Sequence, residues 1–150
     1  MVTRTLESND KTMMAGIIFL AAMLLLSGNA RVVWSDVKGL SRTDSQGPVT
    51  VTAAYVPPDK ATDEIRFTVR LDTHSVNLDR YRLEDFAFIR FDGGAEHKSI
   101  GTTRQGSGHH VTETLRFAGP FPKGAGEMFL IIRNLGGVTE RTLKWKLPFE

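Results

Sequence analysis

The chain has 150 residues, a formal net charge of +2 and no cysteine. The lack of cysteine excludes disulfides, thiol redox chemistry, cysteine nucleophiles, blue-copper ligation and thiolate zinc sites. A chain of this length can bury a hydrophobic core as one domain without covalent cross-links.

The N-terminal segment predicts export. Residues 15–26 (AGIIFLAAMLLL) are wholly apolar, and small residues follow at Gly28 and Ala30. A signal-peptide core needs about 7–15 apolar residues, whereas a membrane span needs about 20. We therefore expect residues 1–30 to form a signal helix that is cleaved after Ala30, with an uncleaved membrane anchor as the alternative. Either way the body lies in the periplasm or another extracytoplasmic compartment, and membrane contact is confined to the N-terminal segment.

The rest of the chain alternates between apolar and polar residues with a period of two, the pattern of half-buried β-strands. We predict a flexible lead-in over residues 31–47, in which residues 31–37 are a candidate strand, and a β-sandwich domain over residues 48–150. Six further strands are expected, at residues 49–55, 65–71, 86–91, 111–117, 127–133 and 143–147.

Turn-forming residues separate these strands. Segments rich in Pro, Gly, Asp and Asn lie at residues 56–60, 92–95, 118–124 and 134–137, and such segments favour tight turns. About seven short strands without an amphipathic helix between them predict an all-β fold, an antiparallel two-sheet sandwich. The prediction is Ig-like in architecture only, because the Cys…Trp…Cys core of true Ig domains is missing.

Two polar segments interrupt the strand pattern and suggest a site. The first is LDTHSVNLD at residues 71–79, and the second is GSGHH at residues 106–110. Because residues i and i+2 of a strand face the same side, Asp72 and His74 could bind one ion, with Asp79 within a loop's reach. His109 and His110 diverge on a regular strand, so they chelate together only where the backbone is irregular, which the neighbouring glycines permit.

Imidazole and carboxylate ligands without sulfur suit Zn²⁺, Cu²⁺ or Ni²⁺. We therefore predict a divalent transition metal, Cu or Zn, as the cofactor. Its predicted ligands are five residues, His74, His109, His110, Asp72 and Asp79. The spacing matches no established zinc signature such as H-E-x-x-H.

The alternative interpretation of the same residues is structural. Asp72 and Asp79 would cap turns, since aspartate accepts hydrogen bonds from backbone N–H groups two residues on. His74 would bond to a carbonyl, and the GSGHH segment would be a hairpin tip with solvated imidazoles. His97, beside Glu96 in another turn, is expected at the surface.

Other functional classes lack their sequence signatures. The chain has no G-x-S-x-G nucleophile elbow, no phosphate-binding loop and no dinucleotide fingerprint, so no enzymatic activity is predicted. Basic and acidic residues alternate along the strands, which predicts a solvated sheet face and no nucleic-acid binding. The residues concerned are Arg66, Arg70, Arg116 and Arg141 with Glu64, Asp72, Glu113 and Glu140.

The pairing of DTHSVNLD at residues 72–79 with GHH at residues 108–110 resembles a pattern in small exported bacterial β-sandwich proteins of uncharacterised function. The resemblance covers roughly residues 48–147 and implies no particular activity. Copper-handling sandwich proteins of the periplasm are similar in size, export and histidine use. Their N-terminal histidine after signal cleavage is absent, because cleavage after Ala30 exposes Arg31.

Together these features predict an exported β-sandwich that binds a divalent transition metal through its histidine-containing loops and acts in extracytoplasmic metal handling, not in catalysis. The alternative is a non-catalytic protein-interaction module, an accessory subunit of a cell-envelope complex. In that case the same loops contact an envelope protein partner.

Overall fold

The computed structural model describes residues 39–58 and 64–149. The predicted export segment and the candidate strand over residues 31–37 lie outside these residues. The strands are β1 (Ser41–Asp44), β2 (Val49–Val56), β3 (Glu64–Thr73), β4 (Ala87–Phe91), β5 (Glu96–Lys98), β6 (Gly101–Ser107), β7 (His110–Ala118), β8 (Glu127–Leu135) and β9 (Val138–Lys146). Two short 3-10 helices, Leu78–Arg80 and Leu83–Asp85, lie between β3 and β4. Across the part of the chain described, no helix has the length and apolar character to cross a membrane.

The strands form two antiparallel sheets. The five-stranded sheet has the order β1-β2-β3-β7-β6, and the four-stranded sheet has the order β5-β4-β8-β9. The predicted all-β, two-sheet antiparallel architecture is confirmed, and the six strands expected from the alternation are all present.

The core follows from the alternation of residues along each strand. In β2 the buried side chains of Val49, Val51 and Ala53 alternate with half-buried threonine and alanine. Trp145 of β9 is fully buried, and its ring centroid lies 5.0 Å from that of Phe67 in β3. Side chains from both sheets therefore meet in one core, in the inward phase that the sequence predicts.

The expectation of a flexible lead-in over residues 31–47 is wrong for its last part. Residues 41–44 form β1, which pairs with β2 at the edge of the five-stranded sheet. The Arg42 side chain donates to the Lys144 carbonyl at 2.8 Å, and the Tyr55 amide donates to the Leu40 carbonyl at 3.0 Å. These hydrogen bonds hold in place a polar segment whose sequence does not alternate between apolar and polar residues.

The solvated face predicted from alternating charges is also wrong at two positions. Glu113 of β7 is 1% exposed and Arg141 of β9 is fully buried. Both lie in the inward phase of their strands, and each has an oppositely charged partner: Arg104 for Glu113, and Asp44 for Arg141. Ion pairing allows these charges to be buried where an unpaired charge would be excluded.

Candidate functional site

The two polar segments singled out in the sequence meet at one end of the five-stranded sheet. Strands β3 and β7 pair so that Asp72 lies opposite His110. Beyond this pair, the Thr73 amide donates to the His109 carbonyl at 3.0 Å and the Leu78 amide donates to the Gly108 carbonyl at 2.9 Å. We call residues 72–82 with residues 107–110 the polar end.

Asp72 and His110 are in direct contact across the strand pair. The Asp72 Oδ1 atom lies 2.9 Å from His110 Nδ1, and Arg70 Nε donates to Asp72 Oδ2 at 2.7 Å. Partial burial opposes ionisation of Asp72, but the hydrogen bonds from His110 and Arg70 outweigh it and hold the pKa of this carboxyl below its ordinary value. The His110 side chain is 71% exposed, and among the residues that the structure describes its second ring nitrogen, Nε2, has no hydrogen-bond partner.

Asp79 has a structural role. Its Oδ1 atom accepts a hydrogen bond from the Gly108 amide at 3.0 Å, and Arg104 Nη2 lies 3.5 Å away. Its own amide donates to Asn77 Oδ1 at 2.9 Å, which caps the first 3-10 helix. Asp79 thus fastens the loop after β3 to the turn before β7, whereas the local turn cap is made by Asn77.

His74 and His109 are exposed on either side of this junction. His74 directly follows β3, where the Thr73 hydroxyl donates to the Pro48 carbonyl at 2.7 Å and accepts from the Ser75 amide at 3.3 Å. Within residues 39–58 and 64–149, no three His, Asp or Glu side chains are grouped closely enough to hold a metal ion. Of the five predicted ligands, the structure brings Asp72 and His110 into contact, and no third predicted ligand joins them in a metal-binding group within the described residues.

A buried ion pair holds the loop of the polar end against the sheet. This pair was not predicted from the sequence. Arg104 of β6 donates through Nη1 to Glu113 Oε1 at 2.6 Å and to the Tyr81 carbonyl at 2.8 Å. Its Nη2 atom donates to the Leu78 carbonyl at 3.0 Å. Arg104 therefore holds the loop between β3 and β4 against the sheet.

Glu113 lies at the base of this arrangement. Burial raises the pKa of its carboxyl, although the charge of Arg104 and the hydrogen bond from Thr102 oppose the shift. The sequence does contain an indication of the pair, because Glu113 occupies the same strand phase as Val111 and Leu115. A charged residue in an apolar phase indicates a buried partner.

The chemistry available at the polar end centres on His110. A histidine whose Nδ1 is hydrogen-bonded to a carboxylate has a fixed ring orientation. This arrangement suits a metal ligand, and it also suits a hydrogen-bonding contact with a partner molecule. Comparison with known protein families, with curated proteins and with solved structures finds no match for this chain.

Proposed function

We propose that the polar end binds a divalent transition metal, Zn²⁺ or Cu²⁺, with His110 as the first ligand. The observation behind this proposal is the 2.9 Å contact between Asp72 Oδ1 and His110 Nδ1. Metal-binding histidines usually donate their other ring N–H to a carboxylate, a backbone carbonyl or water, and Asp72 would be the acceptor of the first kind. In this role Asp72 orients the ligand and does not itself contact the ion.

The remaining ligands come from the exposed imidazoles beside it. The carbonyl of His109 accepts the Thr73 amide, so His109 lies beside the residue that precedes His74. Both side chains are exposed, and the proposed site requires that they rotate towards Nε2 of His110. Two or three imidazoles with solvent water form an ordinary site for either metal. Asp79 is excluded from the ligand set because its carboxylate holds the Gly108 amide.

The proposed setting is an exported, Ig-like domain that handles metal outside the cytoplasm without catalysing a reaction. The apolar run at residues 15–26 supports export. The strand order supports the Ig-like topology: β2-β3-β7-β6 corresponds to the A-B-E-D sheet and β4-β8-β9 to the C-F-G sheet. Strands β1 and β5 then extend the two edges.

Thermal unfolding of the full chain tests the proposal. The protein is purified without a histidine tag in neutral detergent, stripped with a chelator, and melted with and without Zn²⁺ or Cu²⁺. An ion at about 100 times its dissociation constant stabilises the folded state by about 2.7 kcal/mol, so the melting temperature should rise by several degrees. The His110→Ala variant should lose this rise, whereas His97→Ala, which removes an exposed histidine on β5, should keep it.

A second substitution tests the assigned role of Asp72. Asp72→Asn should weaken metal binding about 10–100-fold without abolishing it, as expected for a residue that orients a ligand. No rise in melting temperature with either metal, or an equal rise in His110→Ala, would contradict the metal proposal.

The second candidate is a non-catalytic interaction module, an accessory subunit of a cell-envelope complex. The rigidity of the polar end favours it: the bonds made by Asp79, Thr73 and Arg104 fix the backbone that presents three exposed histidines. A preformed surface lowers the entropic cost of binding a protein. Chemical cross-linking in the native envelope, with a photoreactive residue at position 109 and a control at position 97, would separate this candidate from metal binding.

A further inference from the structure

The outer face of the four-stranded sheet contains a strip of apolar side chains that does not belong to the core. Phe88 of β4 pairs with Ile131 of β8, and Phe129 of β8 lies opposite Arg90 of β4. The two phenylalanines are half-buried. Ile131 is only 1% exposed, yet it is not part of the core cluster between the sheets. Neighbouring side chains on the outer face must therefore cover it.

Cationic side chains lie over the two rings of this strip. The guanidinium of Arg133 is 4.9 Å from the centroid of the Phe88 ring, and that of Arg90 is 4.9 Å from the centroid of Phe129. Lys144 Nζ approaches the Phe129 ring as well, at 5.5 Å. Such cation–π contacts cover part of each ring, which stays half-buried, and leave positive charge at the surface.

The same face has more positive than negative charge. We call it the cationic sheet face; its outward positions hold five cations, Arg90, Lys98, Arg133, Lys144 and Lys146, and three carboxylates, Glu96, Glu127 and Glu140. Arg133 bridges Glu96 and Glu140, and Lys144 pairs with Glu127.

Arg90 differs from these paired cations. Over the described ranges, no carboxylate lies within ion-pair distance of Arg90, and its buried Nε has no hydrogen-bond acceptor. Its register neighbour Glu96 is instead bound through both carboxylate oxygens by Arg133. Arg90 is therefore a partly desolvated charge that lies beside an apolar ring; Glu96 attracts it at longer range but forms no close ion pair with it.

We propose that the cationic sheet face docks an acidic segment of a partner protein. Carboxylates of the partner pair with Arg90, Lys98 and Lys146, and an apolar side chain between them packs on the Phe88 and Phe129 rings. This surface is separate from the polar end, and the proposal does not depend on metal binding.

The charges of the cationic sheet face favour an acidic protein segment over a second copy of the chain and over an anionic membrane. A second copy of the chain would present the same excess of positive charge, and like charges oppose each other across an interface. An anionic membrane presents a plane of phosphates, which would lie against Glu96, Glu127 and Glu140 as well as against the cations. A protein segment can place acidic residues against the unpaired cations and avoid the three glutamates.

The test uses the full chain in neutral detergent with a chelator present, so that any metal site is empty. The probe is a short fluorescent peptide in which glutamates flank a leucine, and its binding is followed by fluorescence anisotropy. We expect Arg90→Gln to weaken binding about tenfold, the size of a lost charge-assisted hydrogen bond. The matched control is Arg66→Gln, on the outer face of the other sheet, which should change the affinity less than about twofold.

Other results would overturn the proposal. They are no binding of the peptide, equal binding of a peptide with lysine in place of glutamate, equal losses in the two variants, or displacement of the peptide by micelles containing an anionic lipid. A loss of self-association in Arg90→Gln, measured by sedimentation, would assign the face to a second copy instead. If Arg90→Gln does not fold, Lys146→Gln, at an exposed position of β9, replaces it with the same expectation.

Discussion

Two arginine–carboxylate pairs lie below the surface of this domain, and they differ in which partner is more deeply buried. In the pair of Arg104 and Glu113, the carboxylate is 1% exposed and the arginine 27% exposed. In the pair of Arg141 and Asp44, the arginine is fully buried and the carboxylate is 13% exposed. Each pair fastens an irregular segment to the sheets, the loop after β3 in the first case and the β1–β2 turn in the second.

The pKa values of the two carboxyls move in opposite directions. Burial raises the pKa of Glu113 despite the nearby charge of Arg104. Burial also opposes ionisation of Asp44, but hydrogen bonds from Gln46 and Arg141 outweigh it, so its pKa falls below the ordinary value. An arginine partner therefore does not by itself determine the direction of the pKa shift. The direction depends on how deeply the carboxylate is buried.

Removing Arg104 should have the largest effect. Arg104→Met leaves Glu113 buried without its ionic partner. It also removes the Arg104 donor from the Tyr81 carbonyl and leaves the Leu78 carbonyl with the Tyr81 amide as its donor. Breaking a buried pair on one side costs about 3–5 kcal/mol, and this loss should be visible in urea unfolding. The double variant Arg104→Met with Glu113→Leu should recover much of it, because an apolar pair can replace a buried ion pair. A single variant that unfolds like wild type would show that the pair does not stabilise the fold.

Removing Arg141 should cost less. In Arg141→Met the Asp44 carboxylate can still reach water, and the main loss is the hydrogen bond to the Gln46 carbonyl at 2.5 Å. We expect a decrease of about 1–3 kcal/mol in the free energy of unfolding, measured by the same method. If Arg141→Met costs more than Arg104→Met, exposure of the carboxylate is not what sets the cost.

The pH dependence of stability should have opposite signs at the two carboxyls. Because the pKa of Glu113 is raised in the folded state, its contribution to the free energy of unfolding is largest below about pH 4.3, the ordinary glutamate pKa. This contribution declines as the pH rises from there through the pKa of the folded state. Because the pKa of Asp44 is lowered in the folded state, its contribution to the free energy of unfolding is complete above about pH 3.9, the ordinary aspartate pKa. This contribution is lost as the pH falls through the lower pKa of the folded state.

Two neutral variants separate these contributions. The stability of wild type relative to Glu113→Gln should decrease with rising pH above about 4.3, whereas that relative to Asp44→Asn should increase with rising pH up to about 3.9. Unfolding free energies from pH 3 to pH 7, roughly the range that spans both ordinary values, measure both slopes. Slopes of the same sign would contradict the comparison.

The exposed pair of Asp72 and His110 should give the smallest effect on stability. The carboxylate is 28% exposed and the imidazole 71% exposed, so water screens their attraction. Asp72→Asn should change the free energy of unfolding by less than about 1 kcal/mol, even though it weakens the proposed metal site. A loss comparable to that of Arg104→Met would mean that this pair holds the strand ends together.

The strands that could be predicted are those that alternate between a core and a solvent side. β2, β3 and β7 have a regular phase of apolar residues, and β4 and β8 have apolar residues on both sides. β1, β5 and β6 are short or polar strands at sheet edges. Pairing with a neighbouring strand holds these segments in the extended conformation, and burial does not. Their own sequences therefore show no alternation of apolar and polar residues.

The location of the candidate site could be predicted from the sequence, but its hydrogen bonds could not. The clustering of histidine and aspartate in two segments correctly indicated that these segments meet, which the pairing of Asp72 with His110 shows. The bond from the Gly108 amide to Asp79 joins residues 29 positions apart. Such a bond depends on the exact path of two loops, and no local pattern encodes that path.

The arginine that holds the loop after β3 also determines how this end of the molecule opens. Arg104 belongs to an edge strand, and the carbonyls that it binds belong to Leu78 and Tyr81. Strand β6 cannot detach without releasing them, and the loop cannot lift without exposing Glu113. We therefore expect β6, the loop and the turn before β7 to exchange their amide hydrogens as one cooperative unit, with the amides of Thr73 and Leu78 protected to the same free energy as those of β6.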